Sequence, residues 1–304
     1  MNGLEDVTQS LNVGQNPAIG IVIALVGAVF LSLGAQLQHR GVSKVEARHG
    51  SGAKQGLSLR ELLRLLGRPS WLIGSVMLGL AILFQLTSLG FAPLIVVQPI
   101  GVVALVITSI INARVTGVRL DKKTIRSISF CVGGVAVFVV TAAIVAREEA
   151  INETQLLIVL AIFGGIVATL ALAFAFFRQR AGAIFYILAA GVIYGFVATL
   201  AKVVINRVFN DNFDLLTVIG IVALLAGTGL GAYFVQTAYS VGSPDLVIAG
   251  LTVVDPLVAV AIGIVVLGEA ATAPIYAVPI WIVAGAVAIF GVFQLARHHP
   301  QTHR

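Results

Sequence analysis

LVIAGLTVVDPLVAVAIGIVVL, residues 246–267, carries a single ionisable side chain, Asp255, in an otherwise almost wholly apolar run. As a helix, a segment of this length rises about 33 Å, enough to cross the ~30 Å hydrocarbon core of a bilayer. A carboxyl near the centre of such a segment is costly and marks a functional site. Pro256 cannot donate to the helix ladder, so it leaves the Thr252 carbonyl without its usual partner. The Asp255 carboxylate, that carbonyl and the Thr252 hydroxyl are therefore expected to converge at one depth. Val96-Val97-Gln98-Pro99 echoes Val253-Val254-Asp255-Pro256, with Leu94 matching Leu251. Two broken segments of this kind predict two related halves meeting at a polar centre.

The rest of the chain has the same character. Of its 304 residues 59% are hydrophobic and 11% charged, and the mean hydropathy is +1.03, far from a soluble domain. The lone Cys131 lies in an apolar segment, which excludes an intramolecular disulfide and reads as a small packing residue. A net charge of +6 could suit nucleic acid, but the basic residues flank the apolar runs, where they act as a topology signal. Residues 1–16 hold no Lys or Arg, so the first apolar run reads as a retained helix and not as a secretory signal.

Nine spans are predicted, at 17–39, 71–90, 92–113, 124–146, 155–177, 182–205, 215–239, 245–267 and 274–296. The second and third, and the seventh and eighth, are joined by short turns at Pro93 and Pro244 and should be antiparallel hairpins. With the N-terminus outside, the inner loops and C-terminus collect 16 basic residues, against Arg147 and Arg207 on the outer side. That bias puts the C-terminus in the cytoplasm. Within the basic loop 40–70, Ser58 and Glu61 have capping-box spacing and Leu59, Leu62, Leu63 and Leu66 share a face, predicting a short helix on the anionic inner leaflet.

Phe84–Pro93 (FQLTSLGFAP) resembles Phe234–Pro244 (FVQTAYSVGSP). The chain accordingly divides into an extracytoplasmic tail 1–16, a first repeat 17–146, a linker span 155–177, a second repeat 182–296 and a cytoplasmic basic tail 297–304. The repeats enter the membrane in opposite senses, giving an all-α polytopic protein of two inverted four-helix repeats. The Pro93/Pro244 match and the VVQP/VVDP match imply registers six residues apart, and both stay open.

Polar residues fall on helical stripes: Gln98, Gly101, Thr108 and Asn112 in span three; Gly195, Thr199, Lys202 and Asn206 in span six; Asp245, Thr252 and Asp255 in span eight. Gln36, Gln85, Tyr233 and Gln236 add donors and acceptors. Stripes of this kind line a wet pathway or hydrogen-bond neighbouring helices. Lys202 is close enough to its span's end to snorkel, and Asp245 and Glu269 sit at helix ends, where solvation is expected. Gly191/Gly195 and Gly227/Gly231 have the spacing of close helix contacts. No HExxH, GxSxG or Walker loop is present, so an enzyme is not expected.

Helical hairpins with Pro turns, inverted halves and Gly268-Glu269 after span eight resemble the drug/metabolite transporter superfamily. Within it, FAPLIVVQPIG at 91–101, Arg119-Leu120 and the Tyr186–Lys202 segment resemble the NIPA-type magnesium transporters. Departures are Val118, where the family often has an acid, Gln38-His39-Arg40 in place of a basic cluster, and a deeper proline in span eight. The resemblance implies magnesium, or another small cation, as the transported species.

The expected activity is secondary transport across the inner membrane by alternating access. Asp255 is the cation or proton site, and Thr252, Gln98, Lys202, Gln236 and Asn112 are its binding partners, with Lys202 a counter-charge to Asp255. No resident cofactor is expected; proton coupling and a homodimer are, and the partners are the lipid bilayer and a small cation or polar metabolite, not nucleic acid. Alternatives are a proton-coupled exporter or flippase of an organic metabolite or lipid-linked sugar, and a membrane scaffold or sensor.

Overall fold

The computed structural model describes residues 16–49, 69–116, 121–146, 151–177, 182–241 and 244–297. Among them are nine helices: α1 Pro17–His49, α2 Pro69–Phe91, α3 Leu94–Thr116, α4 Lys122–Val145, α5 Glu153–Phe177, α6 Ala183–Phe209, α7 Leu215–Val241, α8 Pro244–Val265 and α9 Ala277–Arg297. All nine are long and apolar enough to cross a membrane. Each expected span coincides with one helix. The main differences lie at ends, since α1 runs on to His49 and α6 to Phe209. The short helix expected at 58–66 lies outside the described residues.

Local chemistry explains where the helices start. α1, α2 and α8 open on proline, whose missing N–H costs nothing at a first helical position. Asn16 caps α1 through Ala18 N (3.1 Å), and Asp121 caps α4 through Thr124 N (2.8 Å). Asn152 and Gln155 form a reciprocal capping box at α5, both bonds 2.9 Å. Gly268, at φ 73°, ends the turn after α8 in the left-handed region where glycine is favoured.

Packing follows the small residues. α1 lies along α2, and Gly20, Gly27 and Gly34, seven residues apart, face it. A Cβ at Gly34 would stand 2.9 Å from the Gly74 carbonyl oxygen. α4 lies along α9, where Gly134 meets Ala284 and Ala288 and Gly291 touches Cys131, the small packing residue expected. α6 packs on α7 and α8: Gly227 meets Val197, Gly231 meets the Tyr194 ring, and Gly191 and Gly195 meet Val254 and Val258. Such close approaches supply the van der Waals contact that drives helix association in lipid. α5 sits to one side against α6 and α7, with the Phe174 ring edge-on to Tyr186, Tyr233 and Phe234.

The contacts have a pattern. Among the first four helices α1 touches α2 and α3, and α3 touches α4; among the last four α6 touches α7 and α8, and α8 touches α9. The two sets meet where α3 faces α8, α4 faces α9 and α2 touches α6. Outward, residues such as Ile144, Leu225 and Ile282 are exposed, as an apolar belt against lipid requires.

At the start of α7, Asp214 accepts from Thr217 N (2.9 Å), the Thr217 hydroxyl (2.9 Å) and Arg207 Nη2 (2.7 Å). The Thr217 backbone bond, then its hydroxyl and the Arg207 guanidinium, hold this carboxyl below the usual carboxylate range. A carboxyl depressed in the fold contributes stability above its unfolded pKa, and that contribution disappears as pH falls through the folded value. The thermal midpoint of the detergent-solubilised protein should therefore fall more steeply between about pH 5 and pH 2 than that of Asp214→Asn.

Candidate functional site

Asp255 lies ten residues before the end of α8, about 15 Å along the helix, which is half the thickness of a bilayer core. Its position is set by the crossing of α8 with α6. A Cβ at Gly195 would stand 3.0 Å from the Asp255 carbonyl oxygen, and one at Gly191 3.4 Å from the Asp255 nitrogen. Only bare backbone on α6 lets α8 come so near. Asp255 Oδ1 is buried and has no hydrogen-bond partner among the described residues. Tyr194, next to Gly195 and three residues after Gly191, rests its ring on Gly231 of α7.

The second buried side-chain atom without a partner among the described residues is Gln98 Nε2, on α3. An unsatisfied buried polar atom costs about 1–3 kcal/mol, so two of them at the two sequence breaks need an explanation. Their relative depth follows from one contact: a Cβ at Gly263 would stand 3.5 Å from the Leu94 Cβ, which makes those residues level. Gln98 is four residues beyond Leu94, about 6 Å of rise, and Asp255 is eight residues before Gly263, about 12 Å. The two orphaned groups are thus stepped by about 6 Å along the helix axes.

Pro99 and Pro256 together line an apolar cavity of about 80 Å³, with Val102, Val135, Phe138 and Ile289 also in its lining. Because α3 and α8 cross the membrane in opposite senses, prolines at unlike distances from their helix starts arrive side by side. The VVQP/VVDP match therefore has a spatial counterpart. The expected convergence at Thr252 is not seen in that form. Thr252 lines the apolar cavity, and its hydroxyl donates to Ile248 O of its own helix (2.7 Å).

Lys202 is almost fully buried, and its Nζ donates to the carbonyls of Leu89 and Ala92 at the end of α2, at 2.5 and 3.0 Å. These bonds place it neither at the headgroups nor on Asp255. Gln236 is exposed on α7, so it is not gathered with Asp255 and Gln98. The side chains of Asn112 and Asp245 lie outside the described residues.

Glu269 overturns its expectation. It is 3% exposed rather than solvated, and its two carboxylate oxygens accept from Leu94 N (2.6 Å) and Ile95 N (2.8 Å). The physical reason is at Pro93, which precedes α3 and has no side-chain oxygen with which to cap it. Two orphan N–H groups of the first turn must find an acceptor elsewhere. Lys202 and Glu269 thus bracket one hairpin turn, the cation on the carbonyl end of α2 and the anion on the amide end of α3. Both placements agree with the helix dipoles, worth up to about 2 kcal/mol each in buried geometry. Nearby, Gln155 Nε2 donates to Val266 O and Leu267 O, both at 3.3 Å, at the end of α8. Gly268-Glu269 was legible as a motif, but not as a cap for a helix 174 residues away.

Known sequences resemble this chain over much of its length. Residues 15–208 match the family described as magnesium transporter NIPA. The chain belongs to that family. It is therefore a multi-pass membrane protein of a transporter family, and the resemblance read from 91–101 and 186–202 falls within the match. The match includes Gln98 and Lys202 and stops short of Asp255 and Glu269. An uncharacterised protein of Corynebacterium glutamicum is 25% identical over 261 residues, 84% of this chain and 86% of that protein. No solved structure matches. Among the described residues, no group of three or more His, Cys, Asp or Glu side chains is placed to hold a metal ion.

The crossing at Asp255 depends on the missing side chain at Gly195. Gly195→Leu should wedge α6 from α8 and lower the detergent thermal midpoint, at a cost of about 1–3 kcal/mol. Gly101→Ala, where a Cβ meets nothing within 4 Å, should leave it unchanged or raise it. Size-exclusion profiles after heating distinguish the two.

Proposed function

We propose that the protein is a secondary transporter that moves magnesium or another small cation by alternating access, with Asp255 as the charge-bearing site. The observation that carries this reading is the Asp255 carboxylate oxygen, buried mid-helix without a partner among the described residues where two helices with internal prolines, continuous through Pro99 and Pro256, approach. A transport site must offer its ligand bonds that the empty protein does not fill. Membership of the magnesium transporter NIPA family supports the choice of ion.

The chemistry favours a partly hydrated ion. Magnesium dehydrates reluctantly and commonly keeps several waters, binding through one or two carboxylates. Asp255 can supply one such contact, and Gln98 lies about 6 Å further along the helix axes. Gln98 then serves by its carbonyl oxygen or by positioning water, and Thr252 by its freed backbone carbonyl. Matching helix contacts in the first four and last four helices support inverted repeats with α5 as the linker. The 16-to-2 distribution of basic residues supports an inner-membrane orientation with the N-terminus, and so the α2–α3 turn, outside.

A second reading, a proton-coupled exporter of an organic metabolite, is favoured by the apolar cavity beside Pro99 and Pro256. Asp255 is then the proton site. A magnesium-sensitive dye sealed in proteoliposomes separates the two. Magnesium should enter protein-bearing vesicles, and Asp255→Asn should slow entry by at least about tenfold, equivalent to about 1.4 kcal/mol. Absence of magnesium flux in the native protein sinks the cation reading; flux retained in Asp255→Asn removes Asp255 from it.

A further inference from the structure

We infer that Lys202 and Glu269 are positioning residues that lock one entrance to the transport site, the entrance on the side of the α2–α3 turn. The lock joins the two halves of the molecule. Leu89, Ala92, Leu94 and Ile95 belong to the first four helices and the turn within them; Lys202 is on α6, and Glu269 follows α8. Four bonds from the second half hold the turn of the first: Lys202 Nζ to two carbonyls, and the Glu269 carboxylate to two amides. Any motion that parts the halves at this face must break them.

The bonds are of a kind that can be broken and remade. The α6–α8 seam at Gly191 and Gly195 is a backbone contact with hydrophobic neighbours, and nothing replaces it once parted. The turn, in contrast, lies near a helix-end face, and every group in the lock is polar. Water admitted there can satisfy the Leu94 and Ile95 N–H groups and both charges. The closed and open arrangements can therefore differ by little free energy, as a two-state element requires. The lock also sets the site itself, because Gln98 lies one turn beyond the amides that Glu269 holds.

Gly263 completes the device. A Cβ there would stand 2.7 Å from Glu269 Oε2, so the carboxylate reaches the α3 amides only because residue 263 has no side chain. Gly263→Ala should displace the carboxylate while keeping both charges.

This inference rests on the alternating-access reading, but its test reads accessibility and not flux. Gln98→Cys supplies a reporter thiol beneath the turn, and the native Cys131, buried against α9, reports unfolding. A membrane-impermeant methanethiosulfonate is applied to reconstituted vesicles from the turn side, and each thiol is followed by mass spectrometry. In the Gln98→Cys background, Lys202→Met, Glu269→Gln and Gly263→Ala should each label the reporter about tenfold faster or more, with Lys202→Arg close to the parent and Cys131 protected throughout. Reporter rates within about twofold of the parent in all three lock variants, with Cys131 still protected, overturn the inference. Where a variant labels Cys131 it is set aside as unfolded, and Glu269→Asp takes its place under the same criterion. If Asp255→Asn leaves flux intact while the lock variants expose the reporter, the site assignment fails and the lock stands.

Discussion

Within a bilayer, a backbone N–H or C=O that leaves its helix has no water to turn to. The α2–α3 hairpin confronts this constraint directly. Its turn is short, its proline offers no capping oxygen, and Leu89, Leu94 and Ile95 are essentially inaccessible. The chain answers with Lys202 and Glu269, two charges from distant elements, each placed at the helix end whose dipole it complements. Much of the arrangement of the second half around the first follows from this. α6 must present Lys202 at the level of the turn, the chain after α8 must turn through a left-handed glycine, and Gly263 must be bare.

Among the described residues the same constraint is left unanswered at two side-chain atoms, Gln98 Nε2 and Asp255 Oδ1, and each precedes a proline inside its helix. Where the hairpin turn is capped, the centre is not. Gln155 reaches even the end of α8, yet a carboxylate oxygen of Asp255 has no partner among the described residues, and this contrast is what the proposed transport site rests on. The hairpin turn, Gln98 and Asp255 lie at successive depths along α3 and α8.

Legibility differed between the fold and the site. The helices could be read because hydropathy over a span is additive and local, and the hairpins because Pro93 and Pro244 interrupt it. Gly191/Gly195 and Gly227/Gly231 could be read as contact surfaces because their spacing is that of a helix face, although which helix each would meet could not. Glu269 was misjudged as solvated for a related reason: its position after a span predicts solvent unless some other helix lacks a cap. Lys202 was expected as a counter-charge to Asp255, yet seven residues of α6 separate it from Gly195, where Asp255 crosses.

Residue order alone established that this chain crosses a membrane, roughly where each helix runs, and that Asp255 is an expensive residue to keep. Those are properties of a residue and its neighbours along the chain, set by transfer free energy and helical period. Which polar groups find partners was settled only by the packing of the helices. Lys202 and Glu269 found them in the hairpin of the other half, the Thr252 hydroxyl in its own helix, and the Asp255 oxygen in none of the described residues. Hydrogen bonds are satisfied in three dimensions, and sequence distance carries almost no information about who will be near.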